Sequence, residues 1–131
     1  MNTYRVKTTA VIVLALLGGT ALAQLAGMRR TELLRHDITA PGREVVQMRV
    51  EIDPGHGVPK HTHPGDEVLY VVEGTLEYQP EGQPAMTLRP GQSVFIPAGT
   101  VHAARNTGTS NGAGISTYIA EKGKPLVTPV K

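Results

Sequence analysis

His61, His63 and Glu67 fall within seven residues of one another. A strand repeats every two residues, so His61 and His63 point to one face. Pro64-Gly65 is a turn signal that lets the chain fold back and present Glu67 to that face. Two imidazoles and a carboxylate converging on one point suit a divalent metal with open coordination positions. Other titratable groups nearby read differently. His56 lies between two glycines as a loop residue, and His36 reads as a surface or strand-start residue. Asp66 adjoins Glu67, points the opposite way along a strand, and reads as solvated.

The elements that must hold this group are strands. Arg43 to Ile52 alternates, with Val46, Met48, Val50 and Ile52 on one face and Val45, Gln47, Arg49 and Glu51 on the other, which predicts a half-buried strand. Val58 to His63 and Glu67 to Glu73 follow as extended runs. Thr75 to Gln79 follows Gly74 as a hairpin partner would. Further short runs (Ala85 to Arg89, Gln92 to Ile96, Val101 to Asn106, Ile115 to Glu121) are separated by Gly/Pro turns. Eight or nine short strands with no long helical period predict an all-β sandwich or barrel in a single domain.

A second stretch completes the pattern. The first reads Gly55-x5-His61-x-His63-x3-Glu67-x6-Gly74 and the second Gly91-x5-Pro97-x-Gly99-x2-His102-x3-Asn106, sixteen residues apart. The two resemble the paired signature motifs of the cupin superfamily, with every defining position filled. The resemblance implies a double-stranded β-helix, or jelly-roll barrel, over 43–121. It also implies His61, His63, Glu67 and His102 as four metal ligands inside the barrel. The first three are expected from one hairpin and His102 from a facing strand, aimed inward by the turn at Pro97 and Gly99. Asn106 matches the final Asn of the motif and is assigned to structure. Three His and one Glu leave about two adjacent positions on a six-coordinate ion. Iron or manganese is expected there, with nickel, copper or zinc as alternatives. Met48, Phe95 and Tyr118 are candidates to line a pocket above the metal, against the simpler reading of core packing.

The N-terminus reads as a targeting segment. Arg5 and Lys7 are followed by an apolar run from Thr9 to Gly19 and by Ala21-Leu22-Ala23, a small-x-small cleavage signal. The run is shorter than the about 20 apolar residues of a membrane span. A signal peptide over 1–23, with no twin-arginine pair, predicts Sec-type export, a mature start at Gln24, a periplasmic or secreted location, and no stable membrane insertion after cleavage. The chain carries 13 Lys+Arg against 11 Asp+Glu. Loss of Arg5 and Lys7 would balance the charges, so the basic pI comes partly from the signal. No basic run or helix-turn-helix stretch points to nucleic acid. With no cysteine in the chain, stability must come from the core, a metal or a second copy. Residues 24–42 read as an N-terminal arm able to support a homodimer, as small cupins often form, and 122–131 as a tail.

These expectations converge on an exported, mononuclear metal-dependent enzyme of dioxygenase-like type, acting on a small oxygen-bearing organic substrate. Isomerase or lyase chemistry is the variant. Glu67 would be a ligand that can also accept a proton. A non-catalytic small-molecule or metal-binding module of the cell envelope is the alternative. One cupin site hosts many reactions.

Overall fold

The computed structural model describes residues 25–131. The expected signal segment and cleavage point lie outside the described residues. Ten strands and no helix make up the described chain: β1 (Met28–Asp37), β2 (Arg43–Ile52), β3 (Gly57–Thr62), β4 (Gly65–Glu73), β5 (Leu76–Pro80), β6 (Met86–Leu88), β7 (Ser93–Ile96), β8 (His102–Asn106), β9 (Gly112–Glu121) and β10 (Thr128–Pro129). They form two five-stranded sheets, ordered β1-β2-β9-β4-β7 and β10-β3-β8-β5-β6. All pairings are antiparallel.

Alternation decides which side of each strand meets the core. On β2, Val46 and Ile52 are buried, as their shared face predicts. On β4 the pattern is regular, with Gly65, Glu67, Leu69 and Val71 buried and Asp66, Val68 and Tyr70 exposed. The interior holds two apolar clusters. The larger includes Ile52, Leu69, Val71, Leu76 and Ile96, and the smaller is built on Val46, Tyr118 and Ala120.

The connections correct two local expectations. β3 and β4 are not a hairpin, because the chain passes from one sheet to the other at His63-Pro64. β5 does not pair with β4; it pairs with β6 and β8 in the opposite sheet. Gly74, at φ 70°, makes a corner between sheets in place of a tight hairpin turn. A turn residue fits either connection. The closing of two sheets over one core selects the corner, since β4 buries its inner face against the opposite sheet.

Both ends of the described residues join the barrel. The expected arm is largely β1, which pairs along its length with β2. The expected tail contributes β10, with Thr128 opposite Thr62 and Pro129 opposite His61.

Candidate metal centre

Four polar side chains are buried together inside the barrel: His61, His63, Glu67 and His102, each 3–6% exposed. His61 on β3 and His102 on β8 are direct cross-strand partners in one sheet. Glu67 reaches in from β4 of the other sheet, opposite Ile96 and Tyr118. His63 sits at the corner between the sheets. The expected arrangement is thus corrected: Glu67 faces the histidines across the barrel, while His102 is their neighbour. Parity explains this, because His61 and His102 stand at one register position and share a face.

Local backbone contacts place each group. Gly99 N–H donates to the His63 carbonyl at 3.1 Å. Ala98 N–H donates to Asp66 Oδ1 at 2.9 Å. The Pro97–Thr100 turn, from which His102 emerges, is therefore tied to both flanks of the His63–Glu67 corner. Asp66 is exposed as expected, yet its carboxylate anchors this turn. At Gly65 a Cβ would run into the Ile119 carbonyl. Only glycine allows the close approach of β4 to β9 that sets Glu67 opposite Tyr118. Asn106 is fully buried; its Nδ2 donates to the Ile52 and Ser110 carbonyls at 2.7 and 2.8 Å, and its Oδ1 accepts from Gly108 N–H at 2.9 Å. It has a structural role, bracing the end of β8.

The three imidazoles are held alike. Nδ1 of His61, His63 and His102 lies 2.7, 2.7 and 2.8 Å from the carbonyl oxygens of Pro59, Leu126 and Thr100. A carbonyl only accepts, so each Nδ1 carries the hydrogen. In its neutral form each ring then leaves an Nε2 lone pair free, the form a metal ligand needs. The three rings offer ligand atoms within 4.8 Å of one another. His63 Nε2 lies 3.0 Å from Glu67 Oε2, and His102 Nε2 3.6 Å from the same oxygen. Both His63 Nε2 and Glu67 Oε2 are buried without a hydrogen-bond partner among the described residues. Buried acceptors facing one another fit a cation between them. Burial lowers the His61 pKa to about 4, keeping that ring neutral at pH 7. Burial raises the Glu67 pKa, and only hydrogen bonds from His102 and His63 in their protonated forms would bring it well below the usual carboxylate range.

The pocket candidates separate. Tyr118 is buried, with its ring centroid 4.7 Å from that of His63. Burial and then the Glu67 charge raise its pKa, so its phenol keeps its proton at pH 7. Met48, opposite Ser116, lines an open mouth of about 530 Å³ that reaches His61. Phe95 does neither: it is 59% exposed on the outer face, beside Val68. Its neighbour Ile96 points inward, because Ile96 is the cross-strand partner of Glu67. That parity was the available signal. Residues that motif reading missed are Arg30, Tyr78 and Ser116, which line an interior cavity of about 40 Å³ with the ligand candidates. The Tyr78 ring lies 5.4 Å from that of His102. Period-two alternation from Leu76 indicates Tyr78; nothing local singles out the other two.

Fold and site together define a double-stranded β-helix with a buried three-histidine cluster able to hold a metal ion. The sequence model described as a cupin domain matches residues 48–118. The chain belongs to the cupin family. It is 43% identical over 47 residues to dimethylsulfoniopropionate lyase DddQ of Ruegeria pomeroyi, covering 36% of this chain and 23% of that protein. It is 32% identical over 82 residues to germin-like protein 1 of Brassica napus, covering 59% and 40%. The chain thus spans less than half the length of these curated relatives. Among solved structures, a cupin-like protein from Thermotoga maritima superposes with a TM-score of 0.65 at 24% identity, covering 79% of this chain and 75% of that one. The polyketide cyclase RemF of Streptomyces resistomycificus gives 0.64 at 21%, covering 81% and 72%. These two likenesses concern the fold alone.

Proposed function

We propose that the protein is an exported, mononuclear metal-dependent enzyme acting on a small oxygen-bearing organic substrate, with dioxygenase-like chemistry. The observation that supports it is the cluster of three imidazoles, each braced at its Nδ1, with the Glu67 carboxylate beside His63 and His102. His61, His63, His102 and Glu67 would hold the ion, with iron or manganese proposed. When bound, such an ion supplies Lewis acidity or redox chemistry at its open positions. The chain's own residues do the rest. The apolar mouth at Met48 and Val58 admits and partly dehydrates a small molecule. Tyr118 keeps its phenolic proton and can donate a hydrogen bond, and Glu67 is the carboxylate able to receive a proton.

The likeness to a lyase supports a second reading, elimination without oxygen. Oxygen uptake by protein loaded with iron, manganese, nickel or copper, assayed with flavonols, diketones and catechols, separates the two. Uptake abolished by His61→Ala supports the dioxygenase. Turnover persisting without oxygen supports the lyase. Tight metal retention with no turnover in either assay supports a binding module of the cell envelope.

The periplasmic or secreted location and the homodimer belong to the same proposal. β1 is an edge strand carrying exposed Leu33 and Leu34, a surface that association would cover. An intact mass beginning at Gln24 and a dimeric mass by light scattering are the expected results.

A further inference from the structure

Arg30 is set apart from the other cations of its surroundings. It stands two residues from buried Met28 on β1, and opposite Val50 on β2. By alternation it shares the inward face with Met28. Its neighbour Arg29 pairs with Glu51 and Asp53, whereas Arg30 has no ion pair among the described residues and its Nε is buried without a hydrogen-bond partner. Arg30, Val58 and His61 line both the open mouth of about 530 Å³ and the small cavity of about 40 Å³ beside Glu67 and His102. The guanidinium thus belongs to the wall where an otherwise apolar mouth, with Leu25, Met28, Met48 and Val127, meets the candidate metal site. Lys60 also lines the mouth, but its ammonium is taken by Glu81 at 2.8 Å.

Arg30 is half-buried, and a guanidinium Nε buried without a hydrogen-bond partner is costly to the fold. It is accounted for if an anion completes it. The guanidinium fork matches the two oxygens of a carboxylate. Among the described residues Arg30 is the one Arg or Lys that lines both cavities, and a single cation beside anionic Glu67 suits a monoanion better than a dianion. The mouth has the volume of an ordinary small-molecule site.

We propose that Arg30 anchors the carboxylate of a small organic acid whose apolar body fills the mouth, so that the substrate class of this site is a monocarboxylate. This rests on the metal-site reading for what happens to the bound acid, but not for its binding.

The test is calorimetric binding of hexanoate and 3-phenylpropionate against their uncharged amides, on metal-free and manganese-loaded protein, with metal content measured separately. The acids are expected to bind at least tenfold more tightly than the amides in both forms. Arg30→Met should abolish the preference with metal content unchanged and thermal midpoint equal or higher. Arg30→Lys should keep part of the preference, and Lys60→Gln all of it. A measurement on the unaltered protein accompanies these: hexanoate, but not hexanamide, should protect the Arg30 peptide from phenylglyoxal. Equal binding of acid and amide, a preference surviving Arg30→Met, or absence of protection would overturn the proposal. Absence of bound metal would sink the metal reading alone, because the acid preference is read in the metal-free protein as well.

Discussion

Glu67 Oε2 and His63 Nε2 lie 3.0 Å apart, buried, with no hydrogen bond between them or to any other described residue. When the His63 ring is neutral, its proton is held at Nδ1 by the Leu126 carbonyl and two acceptors face each other. Their mutual repulsion is relieved by a cation, so metal binding should stabilise the fold. Manganese or zinc at about 1,000 times its Kd should add about 4 kcal/mol of unfolding free energy. The check is a thermal melt with and without metal, reversed by a chelator. His63→Ala should lose most of the increment.

The Leu126 carbonyl makes the C-terminal segment part of the site. Ending the chain at Gly123 removes the acceptor of His63 Nδ1–H and strand β10. Metal affinity should fall by about 10–100-fold, measured by competition with a chromophoric chelator. Retained affinity would show that Leu126 does not orient the ring.

Gly65→Ala tests the close approach of β4 and β9. A methyl group there meets the Ile119 carbonyl, and backbone cannot move aside as a side chain can. We expect a loss of about 1–3 kcal/mol and weaker metal binding through displacement of Glu67. A change at exposed Phe95, such as Phe95→Ser, should leave metal affinity unaltered.

Asn106→Ala should also lower stability but leave metal binding intact. It strands the Ile52 and Ser110 carbonyls and the Gly108 N–H, at a cost of about 2–3 kcal/mol. Metal stoichiometry should persist, because Asn106 is no ligand. Denaturant melts and metal analysis of the same sample separate the two effects.

Acidification should weaken the metal-free fold through His61. Its ring stays neutral in the folded state down to about pH 4 and protonates near 6.5 when unfolded. Between these values the unfolded chain binds more protons, so stability is full above pH 6.5 and falls as pH drops towards 4. The loss attributable to this residue is up to about 3 kcal/mol. Urea midpoints from pH 7 to 4 should fall less steeply for His61→Gln.

Much of this was legible along the chain. The period of two on β2, the Gly/Pro punctuation and the two spaced motifs predicted an all-β barrel, and the resemblance they carry implied four named ligands. Those signals are local: alternation and turn chemistry act over a few residues. Which strands pair was decided only by the closed sheets. His61 beside His102, Glu67 across the barrel, and β5 away from β4 all follow from burying two faces over one core. The same holds for the Nδ1 acceptors and for Arg30, whose inward position depends on β1 joining β2. Contacts between distant segments depend on that shared packing, and residue types along the chain do not encode it one position at a time.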